Sequence, residues 1–490
     1  MDAYEFVVIG SGPAGRRAAI QAAKLGHSVL VIEDRHRVGG VSVHTGTIPS
    51  KTMRETVLNL SGWRERGFYG RSYRVKHDIC GADLGQRLNK TLDHEIEVLE
   101  HQFQRNGVRT LAGRARFTSH HRLVVACTDG EERAITFERA LIAVGTAPFR
   151  PASIPFNGVN ILDSDDLIAK PHVPRSLTVI GAGVIGIEYA TIFSALDVPV
   201  TLIEPRETFL DFIDREIIDD FVHQLRDRGM TIRLGATVAS VEQDHQGWPV
   251  CVLDDGRRIR SEMLLYTAGR VGATEGLGLE NLGLEVDKRG RVTVDPDTFQ
   301  TAAAHISAAG DVIGFPSLAS TSMEQGRIAA CHAFGLQTPP APQFFPYGIY
   351  AVPEISTVGM SEEEVRAKGI PCECGIARFR ETSRGHIMGL SAGMMKMIFA
   401  LDDRRLLGVH IIGEGATELI HIGQAVLNLG GTLDYFIENA FNYPTLAEAY
   451  KIAALDAWNR MPKTQAPEAP AVVAVAAPPE LAKPAKLKVA

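Results

Sequence analysis

At 490 residues, with 45% hydrophobic and 22% charged residues, the chain is long enough for about three or four domains and has the composition of an ordinary soluble protein. Its net charge of -7 is modest and unclustered, which argues against nucleic acid as a partner, and no apolar run approaches the roughly 18 to 20 residues that span a bilayer. Asp2 and Glu5 beside the initiator leave no signal peptide, and the six scattered cysteines form no C-x-x-C pair, so a reduced, cytoplasmic protein with thiols packed as small apolar groups is expected. Cys372 and Cys374 would share a face of a strand, but nothing nearby completes a ligand set, and no metal is expected.

In chain order, Phe6–Ile9 reads as a short buried strand running into Gly10-Ser11-Gly12-Pro13-Ala14-Gly15. A helix pattern follows (Ala18, Ala19, Ala22, Ala23, Leu25) that Gly26 can cap, then a second strand, Ser28–Ile32, ending at Glu33. This is a βαβ unit with a dinucleotide cradle. Gly10 and Gly12 let the backbone turn tightly against a pyrophosphate, Gly15 lets helix and strand pack closely, and the helix N-terminus offers free N–H groups. Glu33, 18 residues beyond Gly15, is placed to accept hydrogen bonds from a ribose. From Thr52 to about His101 the chain is helical in character, ending in a run with Leu84, Leu88, Leu92, Ile96 and Leu99 on one face. Val108 to Phe137 alternates like a small antiparallel excursion, and Ala140 to Gly145 is a buried strand ending in glycine.

Residues 150 to about 275 repeat the opening plan. Leu177–Ile180 is a strand, Gly181-Ala182-Gly183-Val184-Ile185-Gly186 the turn, Ile187–Ala195 the helix, and Val200–Ile203 a strand ending at Glu204, again 18 residues on. Two cradles imply two dinucleotides. Gly269-Arg270 closes this unit. His305 to Asp311 is a strand plus an acid that could also cap a helix, and a helix is expected from roughly Ala319 to Ala330. From Phe344 the pattern changes to antiparallel strands (Met394–Ala400, Leu406–Ile412) with a Ser361/Glu364 capping box and an amphipathic helix from Ala416 to Leu429. The tail from Pro462 is rich in Pro, Ala and Lys and is expected to be disordered.

The segment Gly39-Gly40-Val41-Ser42-Val43-His44-Thr45-Gly46-Thr47-Ile48-Pro49-Ser50-Lys51 resembles the active-site helix of the flavin-dependent pyridine nucleotide-disulfide reductases. The resemblance implies an α/β fold with two Rossmann-like, doubly wound dinucleotide-binding domains and an α+β C-terminal dimerisation domain. On that plan residues 1–149 and 276–343 form the FAD-binding domain, 150–275 the NAD(P)-binding domain, 344–461 the interface domain of a homodimer or higher homo-oligomer, and 462–490 the tail. FAD would lie against Gly10, Gly12, Gly15, Glu33, Gly40, Lys51, Gly145, Gly310, Asp311 and Ala319. Asp311 would accept from the ribityl chain, and the helix from Ala319 would aim its positive end at the flavin pyrimidine, an effect of about 0.3 to 2 kcal/mol. The nicotinamide dinucleotide would lie against Gly181, Gly183, Gly186, Glu204, Arg206 and Gly269.

The family's two redox cysteines fall where this chain has Ser42 and Thr47, and Tyr443 stands where its catalytic histidine would be. Hydroxyls cannot form a disulfide, and a tyrosine with pKa about 10 is a poor base near neutral pH. Glu448 then reads as a first-turn helix acid. Lys51 and Glu188, which the resemblance pairs beside the flavin N5, are both present. Gly46–Lys51, Pro316–Ser320 and Phe441-Asn442-Tyr443-Pro444-Thr445 resemble the soluble, flavin-containing pyridine nucleotide transhydrogenases over residues 4 to about 460; a cysteine often remains there at the position of Ser42. The implied reaction is ping-pong hydride transfer from NADPH to NAD through FAD. Glu204 suits an NAD ribose, and Arg206 could offset its repulsion of a 2′-phosphate, each charge pair being worth about 4 kcal/mol at roughly 4 Å and an effective dielectric near 20. An NAD(P)H oxidoreductase of the diaphorase or quinone reductase type is the alternative enzyme. A non-catalytic scaffold is expected to lose the glycines or the Lys51 and Glu188 pair, and both are kept.

Overall fold

The structure is a computed structural model that describes residues 2–70, 72–169, 171–340 and 343–462. Its first layer is a parallel sheet in the spatial order Arg109–Ser119, Val29–Glu33, Asp2–Ile9, Glu132–Ile142, Ile306–Ala308. Strand Val29–Glu33 and the C-terminal ends of Asp2–Ile9 and Glu132–Ile142 are continuously buried, largely apolar runs, as covered sheet faces require. Strand Arg109–Ser119 pairs in parallel through residue 112, then departs to pair antiparallel with Arg122–Cys127, which pairs in turn with Glu132–Ile142. That is the antiparallel excursion read in the sequence. Helices Pro13–Lys24 and Ala319–Ala333 cross on small residues, so closely that a Cβ on Gly326 would lie 2.1 Å from the Ala14 carbonyl oxygen.

The second sheet repeats the arrangement in the order Thr231–Leu234, Val200–Glu204, Leu177–Ile180, Met263–Tyr266, Ile161–Leu162, all parallel, with an antiparallel three-stranded sheet (Val238–Gln243, Pro249–Leu253, Arg258–Arg260) beside it. Helix Val184–Ala195 is buried nearly all round, as its largely apolar sequence favours, with Glu188 and Thr191 among the buried residues. The third unit is an antiparallel sheet, Tyr347–Ile349, Ile355–Gly359, Leu406–Ile412, Met394–Ala400, Cys372–Arg378, covered by helices Ala416–Asn428 and Glu448–Arg460. Ser361 and Glu364 make the expected capping box.

The helical stretch expected after Thr52 is split into Thr47–Leu60 and Gly81–Arg105. Gly62 and Gly70 adopt left-handed φ values of 63° and 82° between them, a conformation that ends a helix. Cys372 and Cys374 do share a face, against Val365, Ile398, Ala400 and Leu407, and Cys127, Cys251 and Cys331 are buried. Cys80 instead is exposed at the start of helix Gly81–Arg105, where its N–H donates to Asp83. The expected disordered tail, apart from Pro462, lies outside the described residues.

A buried ion cluster ties the second unit to the third. Lys396 Nζ donates to Asp214 (3.0 Å) and Glu362 (2.6 Å) and forms an ion pair with Glu216 at 3.2 Å, and Asp214 caps helix Arg215–Asp227. Burial pushes the Glu362 carboxyl up, but hydrogen bonds from Lys396 and Arg366 outweigh it and hold the group at about 2. Its contribution to stability is therefore complete above pH 4.5 and is lost as the pH falls toward 2. Lys396→Met leaves Asp214, fully buried, without its cation, and is expected to cost about 3 to 5 kcal/mol in urea unfolding. An unchanged midpoint would contradict it.

Candidate active site

The first glycine turn is shaped by backbone contacts. Gly10 has φ 100°, and a Cβ there would lie 2.3 Å from the Ala143 carbonyl oxygen; one on Gly15 would lie 1.9 Å from the Gly10 carbonyl oxygen. Gly12 differs, since a Cβ on it would meet no protein atom within 4 Å and would enter a cavity of about 640 Å³. Glu33 lines the same cavity and is buried. Its Oε2 accepts from the Ser11 N–H (2.9 Å) and hydroxyl (2.5 Å), and the Gly39 N–H donates to that hydroxyl at 2.7 Å. Ser11, a variable position of the glycine motif, thus joins the acid to the Gly39-Gly40 turn, a role the sequence did not reveal. Burial raises the Glu33 carboxyl pKa, against the lowering effect of Ser11. Gly40 touches Gly12, its Cβ position lying 2.8 Å from the Gly12 Cα.

Gly145, Gly310, Asp311 and Ala319 line the same cavity. Asp311 caps no helix. It begins a short 3-10 turn whose N-cap is Gly310, and Leu318 precedes helix Ala319–Ala333 without a side-chain cap. Its carboxyl has a long 3.5 Å contact from the Ser322 hydroxyl, and burial raises its pKa against the opposing charge of Arg270. Ser42 donates to the Gly39 carbonyl at 3.1 Å, and it and Thr47 both line the cavity. His44, unassigned in the sequence, holds its ring nitrogen 3.1 Å from the Arg37 and Val38 carbonyl oxygens and so pins the turn leading to Gly39.

A second cavity of about 1270 Å³ adjoins the first, and Val41, Thr47, Asp311, Ser317 and Ala319 line both. Lys51 and Glu188 lie in its wall, the ammonium 2.8 Å from each carboxylate oxygen. Glu188 also accepts from the Tyr350 N–H at 2.9 Å, and the Lys51 ammonium stands 4.8 Å from the centroid of the Tyr350 ring. Tyr350 carries no local sequence signal for this contact. Gly183 and Gly269 line the second cavity; Gly181, Gly186, Glu204 and Arg206 do not. Gly181 and Gly186 close the second turn as Gly10 and Gly15 close the first, a Cβ on Gly186 lying 2.0 Å from the Gly181 carbonyl oxygen. Glu204 accepts from the Ala182 N–H at 2.8 Å, just as Glu33 accepts from Ser11, and its other oxygen accepts from Arg206 Nε at 2.8 Å. Burial pushes Glu204 up, but those bonds bring it below its ordinary value.

Tyr443 is exposed, lines neither cavity, and shares a 2.6 Å hydrogen bond with Ser383. Glu448 begins helix Glu448–Arg460, with a buried oxygen that has no partner among the described residues. Also among the described residues, no cluster of His, Cys, Asp and Glu could hold a metal, and no helix is long and apolar enough to cross a membrane.

The first cavity fits FAD. It offers a glycine open to a pyrophosphate, a buried acid at the strand end, an under-bonded, half-buried aspartate, and a 15-residue helix starting uncapped at its edge. Two such turns, each beside a parallel sheet, a Lys–Glu pair in the wall of the second of two adjoining cavities, and an antiparallel unit that follows, define a dinucleotide-dependent flavoprotein oxidoreductase. The chain belongs to the pyridine nucleotide-disulphide oxidoreductase family, whose sequence profile matches residues 4–326 and whose dimerisation domain matches residues 345–454. The family uses FAD. The chain is 49% identical to the soluble pyridine nucleotide transhydrogenase of Mycobacterium bovis (strain BCG / Pasteur 1173P2) over 462 residues, 94% of this chain and 98% of that one. It is 40% identical to that of Salmonella paratyphi C over the same shares. Among solved structures it resembles LpdA from Mycobacterium tuberculosis (TM-score 0.84, 26% identity, 93% of this chain and 99% of that one). It also resembles the HOCl-induced flavoprotein disulfide reductase RclA from Escherichia coli (TM-score 0.82, 26% identity, 92% and 99%).

Proposed function

We propose that this chain is an NAD(P)+ transhydrogenase, carrying out NADPH + NAD+ = NADP+ + NADH by a ping-pong route at one nicotinamide site, without a redox-active disulfide. One observation carries the reading: the Lys51–Glu188 pair is intact in the wall of the second cavity, which adjoins the first, while hydroxyl side chains stand at positions 42 and 47. When bound, FAD supplies the chemistry of taking a hydride from one nicotinamide and giving it to the next.

The rest falls to the chain's own side chains. Gly10, Gly12, Gly15, Gly40, Gly145 and Gly310 would shape the FAD cradle, Glu33 would accept from ribose hydroxyls, Asp311 would accept from the ribityl chain, and Ala319 would open the helix whose positive end is offered to the pyrimidine. Glu188 fixes the Lys51 ammonium, which would stand beside the reacting ring, where a positive charge favours hydride arrival. Gly181, Gly183, Gly186 and Gly269 shape the nicotinamide dinucleotide site. The protein works as a cytoplasmic homodimer built on residues 344–461, with residues 1–149 and 276–343 as the FAD-binding domain and 150–275 as the NAD(P)-binding domain.

Glu204 and Arg206 set the dual specificity. The paired carboxylate accepts from an unmodified ribose, and the half-exposed guanidinium turns to a 2′-phosphate. Arg206→Ala is expected to raise the KM for NADPH relative to that for NADH about ten-fold, the worth of one charge-assisted hydrogen bond near 1.5 kcal/mol. An unchanged ratio would remove Arg206 from the site. For the reaction itself, initial rates with NADPH varied at several fixed concentrations of an NAD analogue should give parallel double-reciprocal lines. Intersecting lines, requiring both nucleotides at once, would contradict the ping-pong route.

A further inference from the structure

The two helices that carry the ion pair also grip one short segment of the third unit. Helix Thr47–Leu60 brings Lys51 and, one turn later, Arg54; helix Val184–Ala195 brings Glu188 and, one turn later, Thr191. Three consecutive residues of the segment Tyr350–Glu354 are engaged. The Tyr350 N–H donates to Glu188 (2.9 Å), the Ala351 carbonyl accepts from Arg54 Nε (3.0 Å), and the Val352 N–H donates to the Thr191 hydroxyl oxygen (3.0 Å), which donates onward to the Ile187 carbonyl (2.9 Å). The Val352 carbonyl also accepts from Arg228.

Arg54 completes a second contact with the segment. Its guanidinium lies 3.1 Å from Glu354, whose other oxygen accepts from the Thr417 N–H (3.2 Å) and hydroxyl (2.9 Å). Arg54, Glu354, Thr191, Ala351 and Val352 are all buried. A buried network with every bond made is rigid, and a buried group deprived of its partner costs the full desolvation penalty, so the segment has little freedom to slide. Because the same segment supplies Glu188 with an N–H and Lys51 with a ring, any slide moves both halves of the ion pair.

We propose that Arg54 and Thr191 are positioning residues: through the segment Tyr350–Glu354 they hold the Lys51 ammonium and the Glu188 carboxylate in register with the reacting ring. The inference rests on reading Lys51 and Glu188 as the hydride-transfer pair. Since the segment leads directly into strand Ile355–Gly359, the register of the pair is set jointly by all three units of the fold.

The test uses the FAD-loaded, full-length protein. Thr191→Val keeps the shape but removes the acceptor of the Val352 N–H, Thr191→Ser restores it, and Arg54→Lys keeps the charge toward Glu354 while losing the Nε–H donated to the Ala351 carbonyl. In crystal structures of Thr191→Val and Arg54→Lys, the Lys51–Glu188 contact is expected to open from 2.8 Å to beyond about 3.5 Å. The visible circular dichroism of the bound flavin should change with it. The kcat should fall about ten- to hundred-fold with the KM for NADPH nearly constant, and Thr191→Ser should recover both. A pair still at 2.8 Å in both variants would overturn the proposal, whatever the rates. If Thr191→Val does not fold, Arg54→Lys decides alone. An opened pair with full kcat would uphold the positioning and refute the hydride-transfer role, so the two failures are distinguishable.

Discussion

Replacing Lys51 with methionine is expected to slow reduction of the bound flavin by NADPH about 100-fold or more while leaving nucleotide affinity close to its original value. The expected size is that of removing one fixed charge aimed at the reacting centre. Glu188 explains why the lysine must act as half of a pair. Its carboxylate is nearly inaccessible, and beyond Lys51 it has the Tyr350 N–H and a weak 3.4 Å contact from the Ser50 hydroxyl. Lys51→Met strands that carboxylate, at an expected cost of about 3 to 5 kcal/mol in stability. The double variant Lys51→Met/Glu188→Gln should recover most of the stability and none of the rate. Anaerobic stopped-flow measurement with thermal unfolding on the same samples separates the effects. A Lys51→Met protein within a few-fold of the parent rate would remove the pair from the chemistry.

Two glycines three residues apart, Gly12 and Gly15, should fail in opposite ways. Gly15→Ala places its Cβ 1.9 Å from the Gly10 carbonyl oxygen, and both partners are backbone, so neither can move aside without opening the first strand from its helix. Loss of soluble, folded protein is expected. Gly12→Val points its side chain into open cavity, with no protein atom within 4 Å of the Cβ and an extended backbone that valine tolerates. That protein should fold, keep its far-ultraviolet circular dichroism, and be isolated without bound flavin. A Gly12→Val protein with a full complement of FAD would mean that the first cavity is not the flavin cradle.

The cradles were legible because their logic is local. A strand, three glycines at fixed spacing, a helix and an acid 18 residues on are read within one stretch of chain, and the first and third glycines of each cradle answer to backbone contacts within that stretch or beside it. The antiparallel excursion was likewise visible in its alternation. What pairs across the chain was not. Lys51 and Glu188 are 137 residues apart, and only the resemblance joined them. Tyr350, Arg54 and Thr191 act through contacts between separate units of the fold, for which a single sequence has no periodicity to offer. Asp311 read as a possible cap, whereas Gly310 takes that position and leaves the carboxyl under-bonded at the cavity wall. The break after Leu60 falls at Gly62 and Gly70, glycines of positive φ that interrupt an otherwise helical pattern.

The most direct test of hydride passage between nucleotides is a turnover count. The purified yellow protein is reduced anaerobically with NADPH, thio-NAD is added with NADPH in excess, and the reduced analogue is followed by absorbance. Many equivalents of reduced thio-NAD per flavin are predicted. Flavin that bleaches with NADPH but yields no reduced thio-NAD would contradict transhydrogenation and point to a different acceptor, such as a quinone.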